Sequence, residues 1–261
     1  MIVERLWTAN RLRNFNYLVA CPASGEALAI DPLDHAQVLA TARKQGWTIT
    51  QVLNTHEHGD HTGGNRHVIA ATGARLLAHA NAPIPGVDQG LQAGDVVRVG
   101  DEVELQVLDT PGHTLSHVCL LAETDNPALF CGDTLFNAGA GNCHNGGHPD
   151  ELYDTFAGQL AKLPDETLIY PGHDYLANNL RFTLDREPGN RTAAEWLQQD
   201  AVISEPAGVV TDLATEKQIN TFFRLQSPEV IAGLREALPT LPASPSSREV
   251  FLGLRELRNH W

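Results

Sequence analysis

Four cysteines in 261 residues, Cys21, Cys119, Cys131 and Cys143, are too few and too scattered for a disulfide framework. No Cys-x-x-Cys pair is present to seat a structural zinc knuckle. Cys119 and Cys131 fall inside apolar runs and read as core residues. Long hydrophobic runs are missing too: no stretch reaches the roughly 18 apolar residues that cross a bilayer, which excludes a membrane-spanning role. The opening Met1-Ile2-Val3-Glu4-Arg5 lacks a charged-then-apolar leader pattern, so a cytoplasmic protein is expected. Positive charge is scarce, with 18 Lys and Arg against 32 Asp and Glu and a formal net charge of -14. Nucleic acid is thereby excluded as a substrate, because phosphate binding needs clustered cations. The imbalance is uneven: residues 1–176 hold 9 basic and 21 acidic groups, whereas residues 177–261 hold 9 and 11. The nearly neutral last third is the expected source of cations for an anionic substrate. No internal repeat or long low-complexity segment is present.

What the chain does have is histidine in one place. Thr55-His56-Glu57-His58-Gly59-Asp60-His61 packs four ligand-type side chains into six residues, and this mixture of imidazole and carboxylate suits borderline cations such as zinc, iron or manganese. The β-branched, apolar run before it, residues 48–54, predicts a strand that ends at the motif. Three further candidates repeat this context. Residues 105–108 lead through Gly112 to His113, residues 128–131 through Gly132 to Asp133, and residues 167–171 through Gly172 to His173. Each glycine is expected to let the backbone turn tightly, so that four strand ends point at one place. Asp31, closing an apolar run, is a candidate hydrogen-bond partner for a ligand histidine or an ordinary Asp-Pro turn. Thr55 is expected to hold the loop through its hydroxyl, and Glu57 reads as a spacer.

His-x-His-x-Asp-His followed by Gly-His-Thr, an isolated Gly-Asp and a final Gly-His resembles the metallo-β-lactamase superfamily over about residues 10 to 175. The resemblance implies an α/β fold, a four-layer αββα sandwich with the site at one edge. It further implies that His56, His58 and His113 hold one metal, that Asp60, His61 and His173 hold another, and that Asp133 bridges them. Two divalent ions per chain follow, zinc first, with iron and manganese also suited. Asp60 and Asp133 are then the catalytic carboxylates. Water bound by two metals, its pKa falling from 15.7 toward about 7, would supply a hydroxide near neutral pH.

After His173 helical signals replace strand signals. Asn190 precedes a capped helix from Arg191, and Ser227-Pro228-Glu229 offers an N-cap with proline at the first helical position. Ser246-Ser247-Arg248-Glu249 has capping-box spacing before a helix running to Trp261. The expected organisation is therefore a metal-holding domain over 1–176 and a helical, substrate-binding region over 177–261. In the last helix Val250, Leu254, Leu257 and Trp261 should face the core, with Arg255 and Arg258 together on an adjacent stripe.

The closing Leu-Arg-x-x-Arg, with Asn178-Asn179-Leu180-Arg181-Phe182 and Glu187-Pro188-Gly189-Asn190 before it, resembles the glyoxalase II, or hydroxyacylglutathione hydrolase, family. The resemblance implies hydrolysis of S-D-lactoylglutathione, with Arg255 and Arg258 meeting the glutathione carboxylates and Tyr175 contacting glutathione. A monomer or small homo-oligomer is expected. The chain departs from the family after Phe136-Asn137-Ala138-Gly139-Ala140, where Asn142 and His144 stand in place of a basic residue and an aromatic. Both can donate hydrogen bonds, but neither brings a fixed charge. A thioesterase or lactonase for a non-glutathione substrate therefore stays open, as do a single-iron persulfide dioxygenase and a non-catalytic metal-binding protein. Cys143, His144 and His148 could hold an accessory metal or belong to a glycine-rich substrate loop.

Overall fold

The computed structural model of this protein describes residues 1–200 and 209–261. In chain order the strands and helices are β1 (Ile2–Trp7), β2 (Phe15–Ala20), β3 (Glu26–Ile30), α1 (His35–Gln45), β4 (Thr48–Leu53), α2 (Gly59–Thr62), α3 (Asn65–Thr72), β5 (Arg75–His79) and β6 (Gln89–Leu91). They continue as β7 (Val96–Val99), β8 (Val103–Asp109), β9 (Val118–Ala122), β10 (Ala128–Gly132), β11 (Leu135–Phe136), β12 (Gly139–Ala140), α4 (Pro149–Gly158) and β13 (Leu168–Pro171). The remainder are α5 (Leu176–Arg186), α6 (Arg191–Asp200), β14 (Thr211–Asp212), α7 (Leu213–Ile219), α8 (Pro228–Ala237) and α9 (Ser247–His260). Among the described residues no helix is long and apolar enough to cross a membrane.

The chain groups into two compact units that interleave along the sequence. One comprises Met1–Thr110, Ser116–Asp133 and Tyr170–Asp174; the other comprises Pro111–Leu115, Thr134–Ile169 and Tyr175–Trp261. Segment 134–169, which bears strands, groups with the C-terminal helices.

In the first unit β1 to β6 form a sheet in sequence order. The first two pairings are antiparallel, while β3–β4, β4–β5 and β5–β6 are parallel. Parallel neighbours need crossovers, which α1 and α3 supply for the first two pairs, while residues 80–88 join β5 to β6. Asp34 caps α1 by accepting from the Gln37 amide at 3.0 Å, and Gly46 ends it at φ 73°. Alternation sorts the strand residues between two covered faces. Leu18, Ala20, Ala27, Ala29, Val52 and Leu76 pack with Val38 and Ala42 of α1 and Val68 of α3. The opposite face meets a second sheet, where β7 to β10 are neighbours and β13 lies beside β10. There Tyr17 stands edge-on to Phe130 and Tyr170, with ring centres 5.5 and 5.7 Å apart, and its hydroxyl donates to the Pro171 carbonyl at 2.6 Å.

The second unit is mainly helical around an aromatic cluster in which Phe222 and Phe251 lie 5.1 Å apart and Phe156 and Phe251 5.3 Å apart. Asn190 caps α6 through the Ala193 amide at 2.9 Å, and the capping box of Ser246 and Glu249 starts α9, both as the sequence predicts. Ser227 holds the N-cap position of α8, but its hydroxyl donates to Glu187 at 2.6 Å instead of capping. The helical reading missed β14, whose Asp212 pairs with Leu168. Val250 and Leu254 are buried as expected, but Trp261 is exposed: α9 stops at His260, so the last residue leaves the helical face.

Candidate functional site

The parallel strands deliver polar residues at their C-terminal ends, the usual place for a site in such sheets. Asp31 follows β3 directly and the histidine motif follows β4. The Asp31 backbone sits at φ 48°, a left-handed conformation that a non-glycine residue adopts only when its surroundings enforce it. Three hydrogen bonds do so here. Asp31 Oδ1 accepts from the Thr55 amide at 2.8 Å, while Oδ2 accepts from the Thr55 hydroxyl at 2.7 Å and pairs with His61 Nδ1 at 2.9 Å. Both sequence readings of Asp31 therefore hold: it makes the turn and orients a histidine.

Because the Thr55 hydroxyl gives its proton to Asp31, its oxygen receives the Nδ1–H of His56 at 3.0 Å. His173 Nδ1 likewise donates to the Leu12 carbonyl at 2.7 Å. Each bond fixes a tautomer that leaves Nε2 with its lone pair. Those lone pairs converge. His61 Nε2 lies 3.2 Å from His173 Nε2 and 3.3 Å from Asp133 Oδ1, and His56 Nε2 lies 3.0 Å from His58 Nδ1. Asp60 Oδ2 is 3.5 Å from His61 Nε2 and 3.4 Å from His173 Nε2. One ligand atom each from His56, His61 and Asp133 falls within 4.8 Å of the others, and so does one each from Asp60, His61 and His173.

Lone pairs facing one another in a buried space repel unless a cation lies between them. Burial opposes charge on His61, yet Asp133 and Asp31 outweigh it and raise its pKa well above the ordinary value. Burial pushes the Asp133 carboxyl up, but His173 and His61 hold it well below the usual range. Surroundings that bind a proton so firmly offer the same attraction to a divalent cation. These clusters are suited to a dinuclear metal site.

Three supporting features were not identified from the sequence. Asn14 donates to Asp60 Oδ2 at 3.0 Å and to the Asp60 carbonyl at 3.2 Å. His117 Nε2 accepts from the Asp133 amide at 3.2 Å while its Nδ1 meets the Thr110 hydroxyl at 2.9 Å. The only signal for His117 was one more histidine just before a strand; Asn14 had none. The third feature is the role of Gly172. Gly112 and Gly132 do carry positive φ, 152° and 44°, whereas Gly172 does not. It is required for space, since a Cβ there would lie 2.3 Å from Asp133 Oδ1.

In the second unit His113 Nδ1 donates to the Asn142 carbonyl at 2.6 Å, which again leaves Nε2 as the acceptor. A cavity of about 230 Å³ is lined by Phe136, Asn142, His144, Tyr175, Arg255 and Arg258 among others. The sequence-predicted substrate residues thus share one cavity. Tyr175 precedes α5 and packs its ring edge-on to Phe136 at 5.2 Å. Arg258 donates to Asn179 Oδ1 at 3.2 Å and is half-buried, which lowers its pKa. Arg255 lines the same cavity. It is 4% exposed and bonded to two backbone carbonyls, with its pKa pushed down to about 10 by burial. Among the described residues no metal-type cluster includes Cys143, His144 or His148. Burial raises the Cys143 thiol to about 11, away from the thiolate that a metal requires.

Residues 11–173 match the metallo-beta-lactamase superfamily and residues 174–261 the hydroxyacylglutathione hydrolase C-terminus. The chain is 66% identical to a hydroxyacylglutathione hydrolase of Polaromonas sp. and 63% identical to one of Nitrosococcus oceani, in each case over 100% of both chains. Among solved structures it is similar to ETHE1 from Myxococcus xanthus, with a TM-score of 0.68, 30% identity and 93% of each chain covered. The fold is accordingly the metallo-β-lactamase fold with a helical C-terminal region, and the chain belongs to the hydroxyacylglutathione hydrolase family of that superfamily of hydrolases.

Proposed function

We propose that this protein hydrolyses S-D-lactoylglutathione to D-lactate and glutathione with two divalent cations. The reading is carried by the convergence of oriented imidazole nitrogens and carboxylate oxygens around Asp133, in a chain similar over its full length to hydroxyacylglutathione hydrolases. His56, His58 and His113 would hold one cation and Asp60, His61 and His173 the other, with Asp133 shared between the two sets. Zinc is the first choice, with iron and manganese suited to the same donors. When bound, the pair supplies a hydroxide near neutral pH and an electrophile for a carbonyl oxygen.

The protein's own contribution is orientation. Asp31, Thr55 and the Leu12 carbonyl fix three ligand rings, and Asn14 holds Asp60. Residues 1–176 serve the metals and 177–261 the thiol half of the substrate, whose carboxylates meet Arg255 and Arg258 and which Tyr175, Asn142 and His144 contact in the same cavity. No side chain is assigned as proton donor, since a thiolate of pKa about 8.5 leaves unaided. A monomer or small homo-oligomer in the cytoplasm completes the reading, in keeping with four scattered cysteines.

Asn142 and His144 in the cavity, neither of which brings a fixed charge, favour one alternative, a thioesterase for another thiol. Measuring kcat/KM on S-D-lactoylglutathione beside D-lactoyl-cysteamine and D-lactoyl-coenzyme A, on protein of determined metal content, separates the two. A strong preference for the glutathione thioester is expected. Equal or better rates on the other thiols would retain the hydrolase chemistry and reassign the substrate.

A further inference from the structure

Residues 8–14, between β1 and β2, form a strap closed by its own hydrogen bonds. Asn10 Nδ2 donates to Asn14 Oδ1 at 2.7 Å, the Asn14 amide donates to Asn10 Oδ1 at 3.1 Å, and the Thr8 amide donates to the Asn14 carbonyl at 3.1 Å. Ala9 and Arg13 take left-handed φ values of 52° and 60°, which non-glycine residues keep only where their surroundings enforce them. A turn held in this way presents its polar groups in one arrangement.

Two of those groups reach candidate ligands of the same cation. The Leu12 carbonyl accepts from His173 Nδ1 at 2.7 Å, and Asn14 Nδ2 donates to Asp60 Oδ2 at 3.0 Å. Arg13, between them, is bonded instead to Asp174, the residue that follows His173. The Arg13 carbonyl accepts from the Asp174 amide at 2.9 Å, Nε donates to the Asp174 carbonyl at 2.8 Å, and Nη2 donates to Asp174 Oδ2. Its guanidinium also lies 4.8 Å from the ring centre of Trp7, the last residue of β1. On the other side of His173, the Phe15 amide donates to the Gly172 carbonyl at 2.8 Å. The strap and segment 172–174 are thus fastened together on both sides of the histidine.

The Arg13 side chain is 48% exposed, and an ion pair so open to solvent adds little to folding stability. A fork that engages both the carbonyl and the carboxylate of one residue does fix that residue's direction. Here the fixed residue carries His173. In the other ligand set His56 is oriented by Thr55, which lies outside the strap.

We infer that Arg13 is a positioning residue for one cation of the pair: by fastening the strap to Asp174 it sets the relation of Asp60 to His173, and the two cations are thereby held with separately adjustable affinities. The inference rests on the proposed assignment of Asp60 and His173 to one cation.

The test is zinc titration of metal-free, full-length protein labelled with nitrogen-15 at histidine, as wild type, Arg13→Met, Arg13→Lys, Asp174→Ala and the double variant Arg13→Met with Asp174→Ala. Competition with a chromophoric chelator gives the affinities, and the Nε2 signals of His56 and His173 report which set each zinc enters. Wild type should take up two zinc ions. In Arg13→Met the affinity reported by His173 should fall by about tenfold or more, as loss of support behind a ligand typically does, while that reported by His56 stays within about threefold. Arg13→Lys, which keeps the charge but cannot form the fork, should fall between; it decides the question with the same readouts if Arg13→Met does not fold. The double variant should lose about as much as Arg13→Met alone, because both changes break one tie. A residue that served only the fold would lower both affinities together or neither, and either result overturns the inference. A wild type whose His173 signal does not respond to zinc would overturn the ligand assignment, and the inference with it. No thioester enters these measurements, so they decide the matter whether or not the proposed substrate is turned over.

Discussion

Around Asp133 single atoms have the most leverage, because the carboxylate is buried, faces His61 and His173, and has no room to retreat. Gly172→Ala places a methyl where 2.3 Å separates it from Asp133 Oδ1 and 2.9 Å from His61 Cε1, so the carboxylate must turn. The expected result is fewer than two metals per chain by elemental analysis and activity lower by about 10–100-fold, with circular dichroism unchanged. His117→Ala acts on the same residue from behind. It strips the acceptor from the buried Asp133 amide, which should cost about 1–3 kcal/mol in urea unfolding. A His117→Gln variant, which again offers an acceptor and a donor, should recover part of that loss. The seven candidate ligand positions stood out because metal chemistry restricts such sites to a few residue types in a dense pattern. His117 and Asn14 did not, since bonding to a backbone amide or steadying a carboxylate leaves no such pattern. Three-residue spacing makes Arg255 and Arg258 neighbours on a helix, but it does not say how deeply each is buried.

At the scale of elements, the strands ending at residues 53, 109, 132 and 171 were readable from apolar runs closed by glycine or the histidine motif. The starts of α6, α8 and α9 were readable from their caps. What caps do not reveal is how helices in one unit are tied together, and here a single side chain does much of it. Glu187, 4% exposed, pairs through Oε1 with Arg224 Nη2 at 2.6 Å, and receives the Ser227 hydroxyl at 2.6 Å and the Asn190 amide at 2.8 Å. It thus joins the end of α5, the cap of α6 and the start of α8. Burial pushes its carboxyl up, but Arg224, Ser227 and Asn190 together hold it below the usual value. Glu187→Gln keeps the shape and removes the charge from an arginine that is only partly exposed. Breaking a fully buried pair costs about 3–5 kcal/mol, and the solvent that still reaches Arg224 reduces this to about 2 kcal/mol. Urea unfolding measures it; a loss below about 0.5 kcal/mol would show that the neighbouring hydrogen bonds suffice. The two-residue strand β14 could not be read at all, because Thr211 and Asp212 alone carry no periodicity.

Across the whole molecule, stability should depend on pH with a slope opposite to that of an ordinary acid-sensitive protein over one window, and Glu216 is the reason. It is fully buried in the second unit, where burial pushes its carboxyl from 4.5 up to about 7. Four donors work against that rise: the Thr211 hydroxyl at 2.7 Å, the Ala138 amide at 2.8 Å, and the side-chain amides of Asn220 at 3.1 Å and Asn137 at 3.5 Å. Between pH 4.5 and 7 the folded protein binds a proton on Glu216 that the unfolded chain has already lost, so stability falls as pH rises through this window. Glu187 and Asp133, whose carboxyls are held below their ordinary values, contribute the reverse and lose stability only as the solution becomes acidic. Subtraction of a Glu216→Gln variant isolates the one group, because the other carboxyls are common to both proteins. The wild type's advantage in unfolding free energy over Glu216→Gln should shrink by about 3 kcal/mol from pH 4.5 to 7.5, because each tenfold difference in proton affinity between the folded and unfolded chain is worth about 1.36 kcal/mol. A difference that stays level would mean that the four donors defeat the burial and keep Glu216 charged throughout. Should the difference instead grow with pH, the donors would be holding the carboxylate more firmly in the folded protein than water does in the unfolded chain, and Ala138 and Asn220 would owe their placement to a permanent buried charge.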